Sequence, residues 1–348
     1  MRVARSVMRL EAYTPGEQPK SRRVVKLNTN ENPYPPSPAC AEALREFPLD
    51  RLRRYPDPVF AELRAALAGL NGTSPERIFV GNGSDEVLSV AAKTFVEDDE
   101  AIVSLDPSYS LYKTLAAIRD VPWRGLRRGA SGRLPAPPAK ASLFLWTNPN
   151  APTGEFAEPE EVAAFAKGFR GVVIVDEAYA DFSRGNCMHL ATAQKNKNVI
   201  VMRTFSKSYS LAGLRVGYCV GPEDLIAAMY KVKDSYNVDA VAQAVALAAV
   251  KDQAWMRGNV AKVVKTRARF VRELESRGWD VIPSESNFVF ARPPAPAKAA
   301  ELFESLRARN IFVRYFPGPK TGDRLRITIG TDGQMKALLS ALDDRFSR

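Results

Sequence analysis

Lys207 lies within TFSKSYSLAGLR (residues 204–215), a lysine among hydroxyl side chains directly after the apolar run NVIVM (198–202) and shortly before Arg215. An unperturbed lysine has a pKa of about 10.4, and work as a nucleophile or proton carrier at neutral pH requires about 7–8. That shift corresponds to roughly 4 kcal/mol in favour of the neutral amine, within reach of burial beside another cation. Asp176 ends the wholly apolar run VVIV (172–175), where a carboxylate is costly unless a cation meets it. GNGSDE (81–86) follows the apolar IFV (78–80) and precedes residues with helical spacing. The backbone N–H groups of Gly83, Ser84 and Asp85 therefore face whatever lies at a helix N-terminus, which suits a phosphate. The loop is neither GxGxxG nor a Walker A sequence, and a plain helix cap by Ser84 explains it nearly as well.

A lysine, a buried acid, a phosphate cradle and an arginine together point to pyridoxal 5′-phosphate. Asp176 would keep the ring nitrogen protonated, so that the ring accepts electrons from the substrate. Tyr179 is placed to donate to the ring's phenolic oxygen, and Tyr109 to stack on its face. Gly83, Ser84, Asp85, Thr204, Ser206 and Arg215 would surround the phosphate. A helix end contributes only about 0.3–1 kcal/mol, so the arginine is needed beside it.

The elements that must position these residues alternate. Strands are expected at 78–80, 101–105, near Trp123, at 141–146, 172–175, 198–202 and 217–220, with helices between most of them. This alternation predicts an α/β fold with a mostly parallel, doubly wound sheet, whose ligands sit beyond the carboxyl ends of the strands. Each candidate loop follows such an end. Further strands at 287–290, 311–315 and 325–330, with helices at 297–309 and 333–346, predict a smaller α+β domain. The expected division is an N-terminal arm and part of the small domain over 1–44, a large cofactor-binding domain over 45–240 and the small domain over 241–348.

Bulk properties narrow the class. The 348 residues exceed the size at which a single core stops growing. A net charge of +11 suits nucleic acid or anionic small molecules, but the basic residues are dispersed and no nucleic-acid-binding motif accompanies them, so small anionic substrates are expected. The three cysteines are far apart and fit neither a disulfide framework nor a metal site; with a single histidine, no metal is expected. A cytoplasmic protein without membrane attachment is expected, its N-terminal MRVARSVMRL reading as a short helical arm.

The motifs NTNENPYPPSP, RYPDP, GNGSDEVL, DPSY, NPNAPTG, VVIVDEAY, RTFSKSYSLAGLRVGY and LRITIG occur in this order over nearly the full length. In them the chain resembles the fold-type-I, class-II aminotransferases, and within these the histidinol-phosphate aminotransferases. The resemblance implies that Lys207 condenses with the cofactor aldehyde and later carries the proton between substrate and cofactor. It implies that Asp176 pairs the pyridinium, that Tyr179 holds the ring oxygen, and that Ser206 and Arg215 bind phosphate. Tyr55 resembles a tyrosine that reaches the neighbouring subunit's cofactor, implying a homodimer. Arg326 resembles the arginine that receives the glutamate carboxylate and the histidinol phosphate anion in turn, with Arg314 and Tyr13 as helpers. Where the family has an asparagine against the ring oxygen, this chain has Ala151; Asn150, a water, or Tyr179 alone must serve. The expected reaction is transamination between L-histidinol phosphate and 2-oxoglutarate by ping-pong chemistry, with aromatic amino acids as donors, or decarboxylation of a phosphorylated amino acid, as alternatives.

Overall fold

The computed structural model describes residues 3, 5–8, 10, 16–19, 24–129 and 134–346. Thirteen strands occur among them: β1 Val25–Lys26, β2 Ile78–Gly81, β3 Ala101–Leu105, β4 Trp123–Leu126, β5 Ala141–Thr147, β6 Val172–Asp176, β7 Val199–Thr204, β8 Gly217–Val220, β9 Asp280–Ile282, β10 Phe288–Arg292, β11 Ile311–Phe312, β12 Arg314–Tyr315 and β13 Leu325–Thr328. Strands β2 to β8 form a seven-stranded sheet in the order β2-β8-β7-β6-β5-β3-β4. Their continuous apolar runs are what a sheet covered by helices on both faces requires, and β2, β6 and β8 are buried along their whole length.

All pairings in this sheet are parallel except those of β8, which runs antiparallel to β2 and β7. The reason is local. Between β7 and β8 the chain makes a loop and one 3-10 turn, Ala212–Leu214, whereas a parallel return needs a crossover, usually a helix. The loop therefore stays at one end of the sheet and holds Lys207 and Arg215 beside the C-terminal end of β6.

The second sheet, β12-β13-β10-β9, is antiparallel, and β1 pairs with β11 in a separate two-stranded ladder. The single strand expected at 311–315 is thus two short ones serving different sheets. Strand β9 was not expected; its Asp280 is exposed and Val281 and Ile282 are half-buried, too few apolar positions to show a period.

We propose that the boundary between the large and small units falls later than residue 240. Helix Ala240–Lys251 buries Ala242, Val245, Ala246, Ala249 and Val250 in the core that includes β6 and β7. The next helix, Gln253–Glu275, begins in that core with Met256 and then turns Val263, Phe270 and Leu274 into the core of the small sheet. No described helix is long and apolar enough to cross a membrane.

Candidate active site

The C-terminal ends of β2, β3, β5, β6 and β7 face the small sheet across a cavity of about 740 Å³, lined among others by Ser84, Asp85, Tyr109, Asp176, Tyr179, Thr204, Ser206, Lys207, Arg215, Arg314 and Arg326. These are nearly all the residues singled out from the sequence. Gly83 lies directly behind this lining. Tyr13 lies outside the described residues. Tyr55 is 80% exposed on the surface, stacked on Tyr236 at 4.3 Å between ring centroids, and does not line the cavity of its own chain.

Asp176 is buried at the end of β6. Its Oδ2 accepts from the Tyr112 hydroxyl at 2.8 Å and its Oδ1 from the Ala178 N–H at 3.1 Å. Burial pushes its pKa up to about 6 against the lowering effect of the Tyr112 hydrogen bond. A carboxylate so placed favours a cationic partner. Tyr112, itself fully buried, also shares a hydrogen bond with Thr147, so one hydroxyl network fixes the acid's orientation.

Lys207 donates from Nζ to the Thr29 carbonyl at 3.0 Å, and Nζ lies 5.9 Å from the Tyr179 ring centroid. Burial brings its pKa down to about 8, helped by the positive charges of Arg326 and Arg215 and opposed by Glu31 and Asp85. Its backbone is clamped from both sides. Asn32 Nδ2 donates to the Lys207 and Ser208 carbonyls at 3.1 and 3.2 Å. The Ser208 hydroxyl donates to Asp181, which with Glu177 holds the Arg203 guanidinium in a largely buried network.

The turn expected to cradle phosphate is tightly packed, as a Cβ added at Gly83 or at the neighbouring Gly217 shows. Gly83, at φ +80°, caps helix Ser84–Phe95, and a Cβ on it would lie 2.4 Å from Arg215 Nη2. A Cβ on Gly217 would lie 2.4 Å from the Ser84 nitrogen. The two glycines let Arg215 and the first helical amide approach one point. Arg215, at φ +58°, donates from Nη1 to Ser206 Oγ at 3.3 Å, and its Nη2 lies 3.5 Å from Asp85 Oδ2. Ser206 Oγ accepts from Thr204 Oγ1 at 3.0 Å. Left-handed backbone at a non-glycine residue is strain of the kind found where a side chain must be aimed. The helix cap is Gly83, one residue earlier than the Ser84 expected.

Ala151 lines the cavity, and Asn150 does not replace the missing asparagine. Its amide nitrogen donates to the Pro107 carbonyl at 3.1 Å and Thr153 Oγ1 at 2.9 Å, and its oxygen accepts from Ser108 at 2.9 Å, so it closes the loop. Arg314 and Arg326 are directly opposed in the β12–β13 ladder, with guanidinium carbons 5.3 and 5.2 Å from the Phe316 ring centroid. Like charges opposite one another destabilise a sheet, and an anion between them relieves that cost.

The aminotransferase class I and II family model matches residues 22–342. The chain belongs to this family. Among aminotransferases, it is 42% identical to histidinol-phosphate aminotransferase 1 of a Nostoc species, over 97% of this chain and 96% of that one. It is 43% identical to the histidinol-phosphate aminotransferase of Acetobacter pasteurianus, with 97% and 96% covered. The crystal structure of histidinol-phosphate aminotransferase from Sinorhizobium meliloti in complex with pyridoxal 5′-phosphate superposes with a TM-score of 0.88 at 26% identity, covering 99% of this chain and 97% of that one.

The sequence reading missed the segment Asn28–Asn32, which touches most of the aminotransferase machinery. Asn28 accepts from Arg326 Nη2 at 2.9 Å through its carbonyl, Thr29 accepts from Lys207, Asn30 donates to the Tyr179 hydroxyl at 2.9 Å, and Asn32 holds the Lys207 backbone. The motif NTNENPYPPSP counted toward the family resemblance, but none of its residues was given a role.

Proposed function

We propose that this aminotransferase moves the amino group of L-histidinol phosphate to 2-oxoglutarate with pyridoxal 5′-phosphate as its cofactor, a step of histidine biosynthesis. The observation that carries this reading is one cavity in which a half-buried lysine, a buried aspartate, a glycine-built anion cradle and an opposed arginine pair converge. Histidinol phosphate is preferred over aromatic amino acids or decarboxylation because relatives above 40% identity over nearly the full chain carry that activity in their names.

When bound, the cofactor supplies an electron sink that lets the amino-bearing carbon of the substrate release its proton. Arg215, Ser206, Thr204 and the first amides of helix Ser84–Phe95 hold the phosphate. Asp176 holds a proton on the ring nitrogen by offering it a buried negative charge, Tyr179 holds the ring oxygen, and Tyr109 covers the ring. With a pKa of about 8, Lys207 Nζ is neutral in a useful fraction of molecules at slightly alkaline pH, so it can take a proton from the substrate carbon and return it. Arg326, with Arg314, binds the anionic end of either substrate, carboxylate or phosphate. Bidentate arginine geometry serves both.

The working unit is a homodimer. Tyr55 and its stacked neighbour Tyr236 are exposed, as are Leu44, Leu49, Leu52 and Val59 from the same stretch of chain as Tyr55, apolar side chains suited to cover by a second copy. From there Tyr55 reaches the partner's cofactor phosphate. Tyr55→Phe should raise the cofactor dissociation constant about tenfold, the worth of one hydrogen bond to a charged group; an unchanged constant in equilibrium dialysis would remove Tyr55 from the site. Three free, buried thiols suit a reducing cytoplasm.

The activity itself is tested by a half-reaction. Glutamate added without an acceptor should convert the bound cofactor to its amino form, seen as a change in the visible absorbance, with stoichiometric release of 2-oxoglutarate. A spectrum unaffected by saturating glutamate would contradict transamination.

A further inference from the structure

Asn30 is only 1% exposed and takes a left-handed backbone, φ +57°. Its N–H donates to Thr328 Oγ1 at 3.0 Å, its Oδ1 accepts from that same hydroxyl at 3.0 Å, its carbonyl accepts from Asn287 Nδ2 at 2.9 Å, and its Nδ2 donates to Tyr179 Oη at 2.9 Å. Thr328 has one hydroxyl proton. That proton is given to Oδ1, which sets the amide with Nδ2 toward Tyr179. An amide NH2 only donates, so the phenol meets it with a lone pair and keeps its own proton on another side of the oxygen. The ring of Tyr179 is fixed in turn by the edge of Phe288, 5.1 Å away at 88°. The charged groups near it are Lys207, across its face, and Asp176 at the end of the preceding strand.

We propose that Asn30 is a positioning residue for Tyr179: by donating to the phenol oxygen it keeps that phenol a donor toward the ring oxygen of the cofactor. The inference rests on the cofactor reading given above, and it bears on Ala151, which stands where the motif that this chain resembles has asparagine. With one side-chain donor removed from the ring oxygen, the direction of the remaining O–H matters more, and Asn30 is the residue that sets it.

The test reads the absorbance of the bound cofactor as a function of pH in the holoenzyme. Asn30→Asp keeps the shape and tolerates the left-handed backbone, but its carboxylate accepts the phenol proton and draws it away from the cavity. The titration midpoint should rise by about one pH unit, the worth of one hydrogen bond to a charged group. Asn30→Gly, which suits φ +57° and adds no charge, should raise it by less, and should cause no further rise in a Tyr179→Phe background. Thermal unfolding of each variant separates this from loss of fold, which would lower stability without moving the midpoint. Midpoints of both variants equal to that of the native enzyme, or an Asn30→Gly shift of equal size without the phenol, would overturn the proposal. A native protein that takes up no absorbing cofactor would instead overturn the reading beneath it.

Discussion

Replacing Lys207 with alanine should abolish transamination, by at least about 10⁴-fold in kcat, while leaving the cofactor bound. Both halves follow from the geometry. In the proposed reaction the amine that attaches the cofactor and moves the proton is a single atom, Nζ, held by the Thr29 carbonyl. The groups proposed to hold phosphate and ring nitrogen are independent of it, lying on the Gly83–Ser84 turn, Ser206, Arg215 and β6. The variant should therefore bind the cofactor without a covalent link: its absorbance should survive gel filtration, and borohydride reduction before denaturation should fix the cofactor to the native chain but not to the variant. Added methylamine should restore part of the proton transfer, since the vacated space is lined by Tyr179 and Thr29. Near-native turnover in the variant would mean that another base does the work.

Asp176→Asn should have opposite effects on the empty and the loaded protein. The folded-state pKa of about 6 lies above the ordinary 3.8, so the folded chain binds more protons than the unfolded one between those values. The ionised acid is therefore a liability that appears as pH rises through that window and is complete above about 6, at about 3 kcal/mol. Asparagine removes it. It can keep Oδ1 as acceptor for the Ala178 N–H and donate from Nδ2 to the Tyr112 oxygen, whose proton then turns to Thr147. The cofactor-free variant should be more stable than wild type to urea by up to about 3 kcal/mol near pH 8, with the gain vanishing near pH 4. In the holoenzyme the same change removes the negative partner of the ring nitrogen, and kcat should fall about a thousandfold, the scale of breaking a buried ion pair. A variant less stable than wild type when empty at both pH values would show that Asp176 is satisfied within the apoprotein.

What could be read in advance, and what could not, divides along physical lines. Strands β2, β3, β5, β6 and β7 announced themselves because a buried parallel strand is a continuous apolar run, and the loops at their ends carried the chemical residues. Lys207, Asp176, Tyr179 and Arg215 came to the cavity as expected for that reason, whereas Arg326, within β13 of the small sheet, was expected only from the family resemblance. The direction of β8 was not legible, because it depends on the absence of a crossover rather than on the strand itself. In the sequence, Asp57 followed by Pro58 predicts a helix N-cap and a first helical position. Asp57 does accept the Ala61 N–H at 2.7 Å, but the helix begins only after Phe60 turns left-handed at φ +53°, a conformation for which phenylalanine gives no signal. Tyr112 was not singled out in the sequence, since only its hydroxyl, 2.8 Å from Asp176, sets it apart from other core aromatics. The asparagines at 28, 30 and 32 were hidden in another way: they act on residues far along the chain, through single side-chain or backbone atoms, and have no periodicity to betray them. Their role exists only once both sheets are assembled around the cavity.

The substrate is the central claim, and the half-reaction decides it most directly when donors are compared at equal enzyme. L-histidinol phosphate should convert the bound cofactor with a kcat/KM at least about a hundredfold above that of phenylalanine, because its phosphate engages the Arg314–Arg326 pair with two charges and several acceptor oxygens. Equal rates with the two donors, or a faster reaction with phenylalanine, would contradict the account.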